Sequence, residues 1–380
     1  MIPYGRQDIS DKDIAAVLEV LQSDFLTQGP AVPRFEAAAK AQCNVDFAVA
    51  VNSATSALHI ACMALDLGPG DILWTVPNTF VASANVGIYC GADVDFVDTD
   101  PDTYCMSVAA LEEKLTQAER DGKLPKVLIP VHFAGQSCDM RAISALAGTY
   151  DIRIIEDASH AIGASYLGQP VGDCAYSDIC VFSFHPVKII TTAEGGLATT
   201  KDAKLASRME LHRSHGVTRD PALMDQASEG GWYYQMVDLG YNYRMTEMQA
   251  ALGVTQFERL SEFVDRRNAL ALEYDRKLAD LPVTCPVQNP DSRSAFHLYP
   301  ILVDNRAEVF ARIRENGIGV NVHYIPVHTQ PFWRARGFEP GDFPQSEAYY
   351  ARAISIPLYY GLTEEAQDQV VAEIARAVGQ

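Results

Sequence analysis

Between residues 45 and 200, short apolar runs alternate with helical stretches, and this alternation limits the possible folds more than any other feature of the sequence. The runs cover residues 47–51, 72–76, 94–97, 127–131, 152–155 and 179–182. Near-continuous hydrophobicity at this spacing is typical of parallel strands that are covered by helices on both faces. The sequence therefore predicts an α/β fold with a mainly parallel sheet, in which ligands bind beyond the carboxyl ends of the strands.

The rest of the chain predicts a second, smaller domain. Residues 247–279 keep one continuous helical pattern, which is long enough to join two domains. Beyond it the two patterns alternate again, with strands predicted at 297–303 and 320–324 and helices at 307–315 and 363–378. We expect an N-terminal arm and a large domain over residues 1–250, and a linking helix with a small C-terminal α/β domain over residues 251–380.

The balance of charges excludes several classes of partner. The chain has 30 Lys and Arg against 49 Asp and Glu, which gives a formal net charge of −19, and it has no clustered basic run. Nucleic acids and anionic membrane surfaces bind to such clusters, because Lys and Arg neutralise their phosphates. We therefore expect neither nucleic acid nor a membrane as a partner, and local groups must hold any anionic ligand.

The eight cysteines favour a reducing compartment. They include no C-x-x-C pair and lie mostly in apolar surroundings, which is typical of buried, reduced thiols. The first residues lack the apolar core of a secretory signal, and no apolar stretch is long enough to span a bilayer. The sequence predicts a cytoplasmic protein without a membrane anchor.

One lysine, Lys188, stands in an unusual setting directly after the last apolar run. The stretch from Phe182 to Gly196 reads FSFHPVKIITTAEGG, with a proline before the lysine and two glycines after it. Most lysines are solvated surface residues. Apolar neighbours, however, disfavour the ammonium form, lower the pKa and leave a neutral amine that can attack an aldehyde. Lys188 is therefore our candidate for an imine with a carbonyl cofactor.

Three other predicted strand ends carry residues suited to such a cofactor. The turn Ser53-Ala54-Thr55 precedes a helix, so its backbone N–H groups can bind an anion, although a plain helix cap has the same pattern. Phe80 can cover a flat ring or belong to the core. Asp157 can stabilise a protonated ring nitrogen, whereas an isolated acid at a strand end is as often a metal ligand or a cap. No histidine or carboxylate pairs stand at metal-ligand spacing, so we expect no metal site.

Six motifs, in order along nearly the whole chain, carry a resemblance to a known family. They are NSATSAL from Asn52, EDASHA from Glu156, SFHPVK from Ser183, EGG from Glu194, GYNYR from Gly240 and VHYIPVH from Val322. This set resembles the DegT-type sugar aminotransferases, which are pyridoxal-phosphate enzymes of fold type I with a seven-stranded type of sheet. Within the family the chain is most similar to the UDP-4-keto-sugar 4-aminotransferases of the pseudaminic acid pathway. That closer likeness rests on Tyr4, FLTQG from Phe25, KIITTAEGG from Lys188 and NVHY from Asn321.

The resemblance implies a role for individual residues around the cofactor. Lys188 would form the imine with pyridoxal 5′-phosphate, Asp157 would pair with its ring nitrogen, and Phe80 would stack on the ring. The remaining cofactor-binding positions match Ser53, Ala54, Thr55 and Ser183 at the phosphate, Asn242 from a neighbouring subunit, and Gln136 and His160 along the cofactor. Gln136 is typical of the wider family, whereas lysine is expected at this position in the pseudaminic enzymes.

The resemblance also implies substrates and an assembly. Substrate-contacting segments of the family match Tyr4, Asp24, Phe25, Leu26, Thr27, Asn321, Val322, His323 and Tyr324. A homodimer with shared active sites would transfer an amino group from an amino acid, L-glutamate in this family, to C4 of a UDP-linked 4-keto-6-deoxy-N-acetyl-hexosamine.

Three alternatives remain open at this point. The first is the same chemistry on another nucleotide keto-sugar, such as a dTDP-linked 3- or 4-keto sugar. The second is a sugar dehydratase, for which the family pattern has histidine in place of Lys188. The third is a regulatory member of the family without enzymatic activity, which the presence of both Lys188 and Asp157 disfavours.

Overall fold

The computed structural model describes residues 1–379, which form an alternating series of strands and helices. The strands are β1 (Phe47–Val51), β2 (Ile72–Thr75), β3 (Asp93–Phe96), β4 (Val127–Leu128), β5 (Arg153–Asp157), β6 (Ser165–Tyr166), β7 (Gln169–Pro170), β8 (Ile179–Ser183), β9 (Gly196–Thr200), β10 (Val217–Thr218), β11 (Gln235–Met236), β12 (Ser292–Arg293), β13 (Tyr299–Leu302) and β14 (Ala353–Ile356).

The α-helices lie between these strands and at both ends of the described residues. They are α1 (Asp11–Leu21), α2 (Ala31–Cys43), α3 (Ala54–Ala64), α4 (Ala82–Tyr89), α5 (Val108–Asp121), α6 (Met140–Thr149), α7 (Ala203–Arg213), α8 (Glu247–Glu258), α9 (Leu260–Leu278), α10 (Arg306–Glu315), α11 (Pro331–Arg334), α12 (Pro344–Arg352) and α13 (Glu364–Ala377). Short 3-10 helices lie at Phe133–Gly135 and Val327–Thr329.

A seven-stranded sheet lies within the predicted large domain, in the order β1-β9-β8-β5-β4-β2-β3. The pairs β2-β3, β2-β4, β4-β5 and β5-β8 are parallel. Strand β9 pairs antiparallel with both β1 and β8. The predicted α/β class with a mainly parallel sheet is confirmed. Strand β9 is not among the predicted strands, because its sequence GLATT contains only one large apolar residue.

Helices cover both faces of this sheet, so its central strands are buried on both sides. In β8, Phe182 packs in a cluster with Phe35 of α2 and Phe263 of α9, whereas Val181 packs on the other face in a cluster with Leu58 of α3. Successive side chains of a strand point to opposite faces, which explains why the predicted strands are apolar without alternation. Truncating Phe182 to alanine should cost about 3–5 kcal/mol of folding free energy.

Two helices occupy the place of the single helix predicted at 247–279. Helix α8 ends at Glu258, Arg259 has φ −104° and ψ 2°, and α9 begins at Leu260. The Arg259 guanidinium is anchored by Asp8 at 2.6 Å and lies over the ring of Phe263. The prediction of one continuous helix is wrong, because the apolar periodicity continues through a break that tertiary contacts stabilise. The predicted domain boundary near residue 250 falls within α8 and stays a prediction.

The strand predicted at 320–324 is also absent from the described residues of the C-terminal part of the chain. There β13 pairs antiparallel with β14, and Asn321 contributes only an isolated bridge to Ser355. Since β14 supplies the partner for β13, the segment after Asn321 leaves the sheet and passes along a cavity instead.

The first residues of the chain pack on its C-terminal part through backbone hydrogen bonds. Ile2 N–H donates to Gly317 O at 2.9 Å, Gly319 N–H donates to Ile2 O at 2.6 Å, and Leu358 N–H donates to Tyr4 O at 3.1 Å. These contacts fix Tyr4 beside the same cavity. No helix among residues 1–379 combines the length and the apolar character that crossing a membrane requires.

Candidate active site

A cavity of about 520 Å³ opens at the carboxyl ends of β1, β5 and β8. Strands β1 and β8 are parallel to each other, because each pairs antiparallel with β9 between them. Their ends therefore meet at one edge of the sheet, next to the end of β5. The predicted site residues that line this cavity are Tyr4, Ser53, Ala54, Thr55, Phe80, Asp157, His160, Ser183, Lys188, Asn321, Val322, His323 and Tyr324.

The turn after β1 forms one part of the cavity wall. Ser53 caps α3, and its hydroxyl accepts a hydrogen bond from the Ser56 N–H at 3.1 Å. The first turn of α3, with Ala54 and Thr55, carries no acidic residue. Gly196 packs directly on this turn, since a Cβ there would lie 2.3 Å from the carbonyl carbon of Ser53. A helix N-terminus of this kind binds an anion through its free backbone N–H groups.

Lys188 lies in a loop that backbone hydrogen bonds close at its base. Phe184 N–H donates to Gly195 O, and Thr192 N–H donates to Phe184 O, each at 3.0 Å. Burial lowers the pKa of Lys188 to about 8, and the carboxylate of Asp157 partly opposes this shift. A substantial fraction of the Lys188 side chains is therefore neutral and nucleophilic under mildly alkaline conditions.

Both carboxylate oxygens of Asp157 accept hydrogen bonds from the protein. The Ser83 hydroxyl donates to Oδ2 at 2.6 Å, and the Ser159 backbone N–H donates to Oδ1 at 3.1 Å. Asp157 is the last residue of β5 and is only 5% exposed. Its carboxylate is therefore fixed at the cavity, where it can accept a hydrogen bond from a protonated ring nitrogen.

Phe80 stands at the cavity with 59% of its surface exposed. Its ring centroid lies 6.3 Å from that of Tyr324 across a tilted pair. The exposed ring excludes the alternative that Phe80 is a core residue. An accessible aromatic face at a cavity wall can pack against a flat ligand ring.

Three buried imidazoles belong to the same cavity, those of His160, His297 and His323. Burial lowers the pKa of each, with the nearby charge of Lys188 as the next cause. The pKa of His323 falls to about 4. All three side chains are therefore neutral near pH 7, so each can donate one hydrogen bond and accept another.

Gln136 is buried but lies outside the lining of this cavity. Its Nε2 donates to Val287 O at 3.2 Å, and its Oε1 accepts the Asn289 N–H at 2.5 Å. Both ends of the amide are thus bound to the 287–289 loop, and this placement does not support the prediction that Gln136 lines the cofactor.

Asn242 and residues 24–27 also lie outside the cavity of their own chain. All are exposed, and Phe25 is 53% accessible. The Leu26 carbonyl accepts the Glu247 N–H at 3.0 Å, which holds this segment beside the start of α8. Apart from the buried Gln136, the residues predicted from the resemblance thus divide into a set within one chain's cavity and a set on the surface.

Several residues at the cavity are not among the predicted ones: Leu58, Thr79, Ala82, Ser83, Val131, Ser159, His185, Val187, Glu194 and His297. Thr79 and Ser83 lie on either side of Phe80, where the chain enters α4, and their hydroxyls are 2.9 Å apart. No sequence pattern marks His297, because it lies just before β13 and approaches Lys188 only in the folded chain.

The described residues fit the predicted cofactor in their chemistry. The helix N-terminus at Ser53, together with Ser183, suits a phosphate. Because Gly196 has no side chain, strand β9 can pack closely on this helix N-terminus. Asp157 suits a protonated ring nitrogen, Phe80 suits the ring face, and Lys188 suits the aldehyde. No group of three His, Cys, Asp or Glu side chains within residues 1–379 is arranged to hold a metal ion.

Comparison with known sequences places this site in a family. Residues 7–375 match the model of the DegT/DnrJ/EryC1/StrS aminotransferase family. The UDP-4-amino-4-deoxy-L-arabinose–oxoglutarate aminotransferase of Shewanella sediminis is 34% identical over 392 residues. That alignment covers 100% of this chain and 98% of the relative.

Solved structures agree with the sequence comparison. A putative sugar aminotransferase from Streptococcus pneumoniae, in its PMP form, has a TM-score of 0.92 to this chain at 30% identity, with 100% of this chain and 99% of the other covered. The same protein in a PLP form has a TM-score of 0.90. Helicobacter pylori PseC, an aminotransferase involved in the biosynthesis of pseudoaminic acid, has a TM-score of 0.91 at 29% identity, with 99% of each chain covered. These comparisons confirm two predictions, fold type I and pyridoxal 5′-phosphate as the cofactor of the family. This chain belongs to the DegT/DnrJ/EryC1/StrS aminotransferase family.

Proposed function

We propose that this sugar aminotransferase uses pyridoxal 5′-phosphate to move the amino group of L-glutamate to C4 of a UDP-linked 4-keto-6-deoxy-N-acetyl-hexosamine. The observation that carries the proposal is the position of Lys188. Its amine has a pKa lowered to about 8 and lines the same cavity as the Asp157 carboxylate and the helix N-terminus at Ser53. A regulatory member of the family without enzymatic activity would not need this lysine and this carboxylate in one cavity.

Different residues of this chain would have different roles in the transfer of the amino group. When bound, pyridoxal phosphate supplies an aldehyde that takes up an amino group and a ring that accepts the negative charge left on Cα. Lys188 Nζ would take the proton from Cα of the donor amino acid and deliver it to C4′ of the cofactor. Asp157 holds a proton at the ring nitrogen, and the turn at Ser53 with Ser183 anchors the phosphate.

The choice of a UDP-linked 4-keto sugar rests on the relatives. The Shewanella sediminis protein is named for a UDP-linked 4-amino sugar, and the Helicobacter pylori protein for pseudoaminic acid biosynthesis. The first name supports amination at C4 of a UDP-linked sugar, and the second supports a role in the synthesis of pseudaminic acid. A dTDP-linked 3- or 4-keto sugar is the competing acceptor, and the experiment below includes it.

Two arginines that line a second cavity, Arg213 and Arg244, are candidates for binding a diphosphate. Arg213 pairs with Glu36 at 2.7 Å and donates to Ala50 O at 2.9 Å, so its charge is used within the fold. Arg244 lines this second cavity, of about 220 Å³, beside Gln28. Arg244 is therefore our candidate for the sugar-nucleotide diphosphate, and it lies outside the main cavity of its own chain.

We further propose a homodimer whose active sites are shared. Asn242 and residues 24–27, which resemble cofactor- and substrate-contacting residues of the family, are exposed away from their own cavity. The same part of the sequence carries large exposed apolar side chains, with Trp232 at 72% and Met236 at 63%. Contiguous apolar patches mark association sites, and these side chains are our candidates for one. A partner subunit would bury them and bring Asn242 to the neighbouring phosphate.

The absorbance spectrum of the purified protein with pyridoxal phosphate tests the first half of the proposal. Wild-type protein should show a band at about 420 nm that shifts to about 330 nm when glutamate is added. Lys188→Ala should lack the 420 nm band. Wild-type protein without the band, or a band that persists in Lys188→Ala, would overturn the proposal and favour a regulatory role.

A panel of acceptors tests the second half. Glutamate-treated enzyme is mixed with the UDP-linked 4-keto-6-deoxy-N-acetyl-hexosamine, a dTDP-linked 4-keto-6-deoxy sugar or a dTDP-linked 3-keto sugar. Return of the 420 nm band and the mass of an amino sugar identify the true acceptor. Turnover with a dTDP-linked sugar alone would contradict the UDP assignment while leaving the aminotransferase chemistry intact.

A further inference from the structure

A chain of hydroxyl groups leads from the start of α4 to the carboxylate of Asp157. Thr79 Oγ1 lies 2.9 Å from Ser83 Oγ, and Ser83 Oγ lies 2.6 Å from Asp157 Oδ2. Ser83 has no exposed surface, and Thr79 is only 3% exposed. The contact is therefore enclosed by protein, where a hydrogen bond to a charged group is worth more than at the surface.

The direction of each hydrogen bond follows from the chemistry of the groups. An ionised carboxylate can only accept, so the single hydroxyl proton of Ser83 points to Asp157. The lone pairs of Ser83 then accept the proton of Thr79. Donation runs from Thr79 to Ser83 to Asp157 and ends at the carboxylate.

These hydroxyls belong to the segment that leads into α4 and that also carries the Phe80 ring. Thr79 and Ser83 flank Phe80, and the Ser83 N–H donates to Phe80 O at 3.4 Å. The turn that presents the Phe80 ring to the cavity thus also holds the carboxylate of Asp157. A shift of this segment would move both together.

We propose that Ser83, supported by Thr79, is a positioning residue for Asp157. Its hydroxyl occupies one lone-pair direction of Oδ2, while the Ser159 N–H occupies one of Oδ1. A carboxylate has about four lone-pair sites, so the remaining ones are left for a cationic N–H donor in the cavity. Without Ser83 the carboxylate can rotate about its χ2 bond, which has a broad torsional profile. The ligand class, a protonated aromatic nitrogen, rests on the function proposed above.

The test uses a ligand that cannot react with Lys188. 4′-Deoxypyridoxine 5′-phosphate has the ring and phosphate of the cofactor but no aldehyde, so its dissociation constant reports non-covalent contacts alone. Calorimetric titration of the cofactor-free protein should give an affinity about 10-fold weaker for Ser83→Ala than for wild type, the loss expected for one charge-assisted hydrogen bond. Thr79→Val, which keeps the shape of threonine, should weaken binding about 3-fold, and Thr79→Ser should restore it.

Ser346→Ala provides a matched control. Ser346 is equally buried and donates to Asp98 at 2.9 Å, yet it lies outside the cavity. Its loss should lower stability without changing ligand affinity. Unchanged affinity in both Ser83→Ala and Thr79→Val would overturn the inference. Should Ser83→Ala fail to fold, Thr79→Val against Thr79→Ser decides the question.

A double-mutant cycle with Asp157→Ala distinguishes positioning from direct binding. If Ser83 acts through Asp157, then adding Ser83→Ala to Asp157→Ala causes no further loss of affinity. A further 10-fold loss would mean that Ser83 contacts the ligand itself, which would overturn the positioning role. Wild-type protein that binds neither this ligand nor pyridoxal phosphate would instead overturn the proposed function.

Discussion

His160 Nε2 lies 2.9 Å from the hydroxyl oxygen of Tyr324. His160 Nδ1 accepts the Ala134 N–H at 3.3 Å, so the proton of the neutral imidazole is on Nε2 and is donated to Tyr324. The Tyr324 hydroxyl proton is then free to point into the cavity. Burial raises the pKa of Tyr324, with the charge of Asp157 as a further cause, so the hydroxyl keeps this proton throughout the physiological range.

Tyr324→Phe should therefore impair the step that involves the acceptor sugar. We expect the single-turnover rate of the glutamate-treated enzyme with the keto-sugar to fall about 10-fold to 100-fold, because a donor to the sugar oxygen is lost. The reaction with glutamate should change much less. Stopped-flow absorbance follows the two half-reactions separately.

Tyr274→Phe is the control for that experiment. This variant also loses a buried hydroxyl, because the Tyr274 hydroxyl donates to Pro357 O at 2.8 Å. Tyr274, however, lies outside the cavity. It should lose about 1 kcal/mol of folding free energy and keep both half-reactions. Equal losses in the two half-reactions of Tyr324→Phe would contradict a role toward the acceptor.

Gly196→Ala should disrupt the phosphate end of the cavity. The new Cβ would lie 2.3 Å from the carbonyl carbon and oxygen of Ser53, a contact that backbone atoms cannot relieve without moving. We expect a loss of about 1–3 kcal/mol of folding free energy and at least a 10-fold weaker affinity for pyridoxal phosphate. Thermal unfolding and fluorescence titration measure the two effects.

Gly148→Ala makes the same chemical change where space is open. Nothing lies within 4 Å of a Cβ at Gly148, which is in α6. Alanine in a helix should raise stability by about 0.5–1 kcal/mol and leave cofactor affinity unchanged. A Gly196→Ala protein that binds the cofactor as tightly as this control would show that the turn adapts.

The parts of the site that follow strand ends were predictable from sequence, and those that depend on helix register or on a second segment were not. Ser53, Asp157 and Lys188 each follow an apolar run, and parallel strands bring their carboxyl ends to one edge. The role of Ser83 could not be predicted in this way. Its contact with Asp157 joins residues 74 positions apart and depends on the rotation of α4 about its axis. The sequence has no local signal for that rotation.

The wrong secondary-structure predictions have a related cause. Helical periodicity continues on both sides of Arg259, so the sequence pattern does not show the break between α8 and α9. The break is stabilised by contacts of Arg259 with Asp8 and Phe263, which only the folded chain brings together. Strand β9 contains only one large apolar residue, so it lacks the apolar run that predicts the other strands of the sheet. Its neighbours β1 and β8 supply the hydrogen bonds that make it a strand.

Capture of pyridoxal phosphate by the cofactor-free protein should depend on pH through Lys188. A lysine in water titrates near pH 10.4, whereas burial lowers the pKa of Lys188 to about 8. The neutral amine is the reactive form, so the second-order rate constant should rise with pH, reach half its maximum near pH 8 and level off above it. Stopped-flow absorbance at about 420 nm measures this rate.

The same shift predicts how stability depends on pH. Between about pH 8 and 10.4 the unfolded chain keeps the proton of Lys188 and the folded chain has lost it, so this residue makes stability rise with pH in that window. Comparing urea denaturation of wild type with Lys188→Met isolates the contribution. A rate of cofactor capture that reaches half its maximum near pH 10 would contradict the lowered pKa. The same dependence of unfolding free energy on pH in wild type and Lys188→Met would contradict it as well.

Mixing two inactive variants should restore activity if the proposed homodimer shares its sites. Asn242 is exposed on the surface of its own chain, whereas Lys188 lines the cavity. In a heterodimer of Lys188→Ala with Asn242→Ala, one site carries both defects and the other carries neither. The purified heterodimer, isolated with two different tags, should have about half of the wild-type activity per dimer. A heterodimer of Lys188→Ala with the double variant Lys188→Ala/Asn242→Ala has no intact site and should remain inactive. If the first heterodimer were no more active than the second, Asn242 would act on its own chain's site, and the surface position of Asn242 would need another explanation.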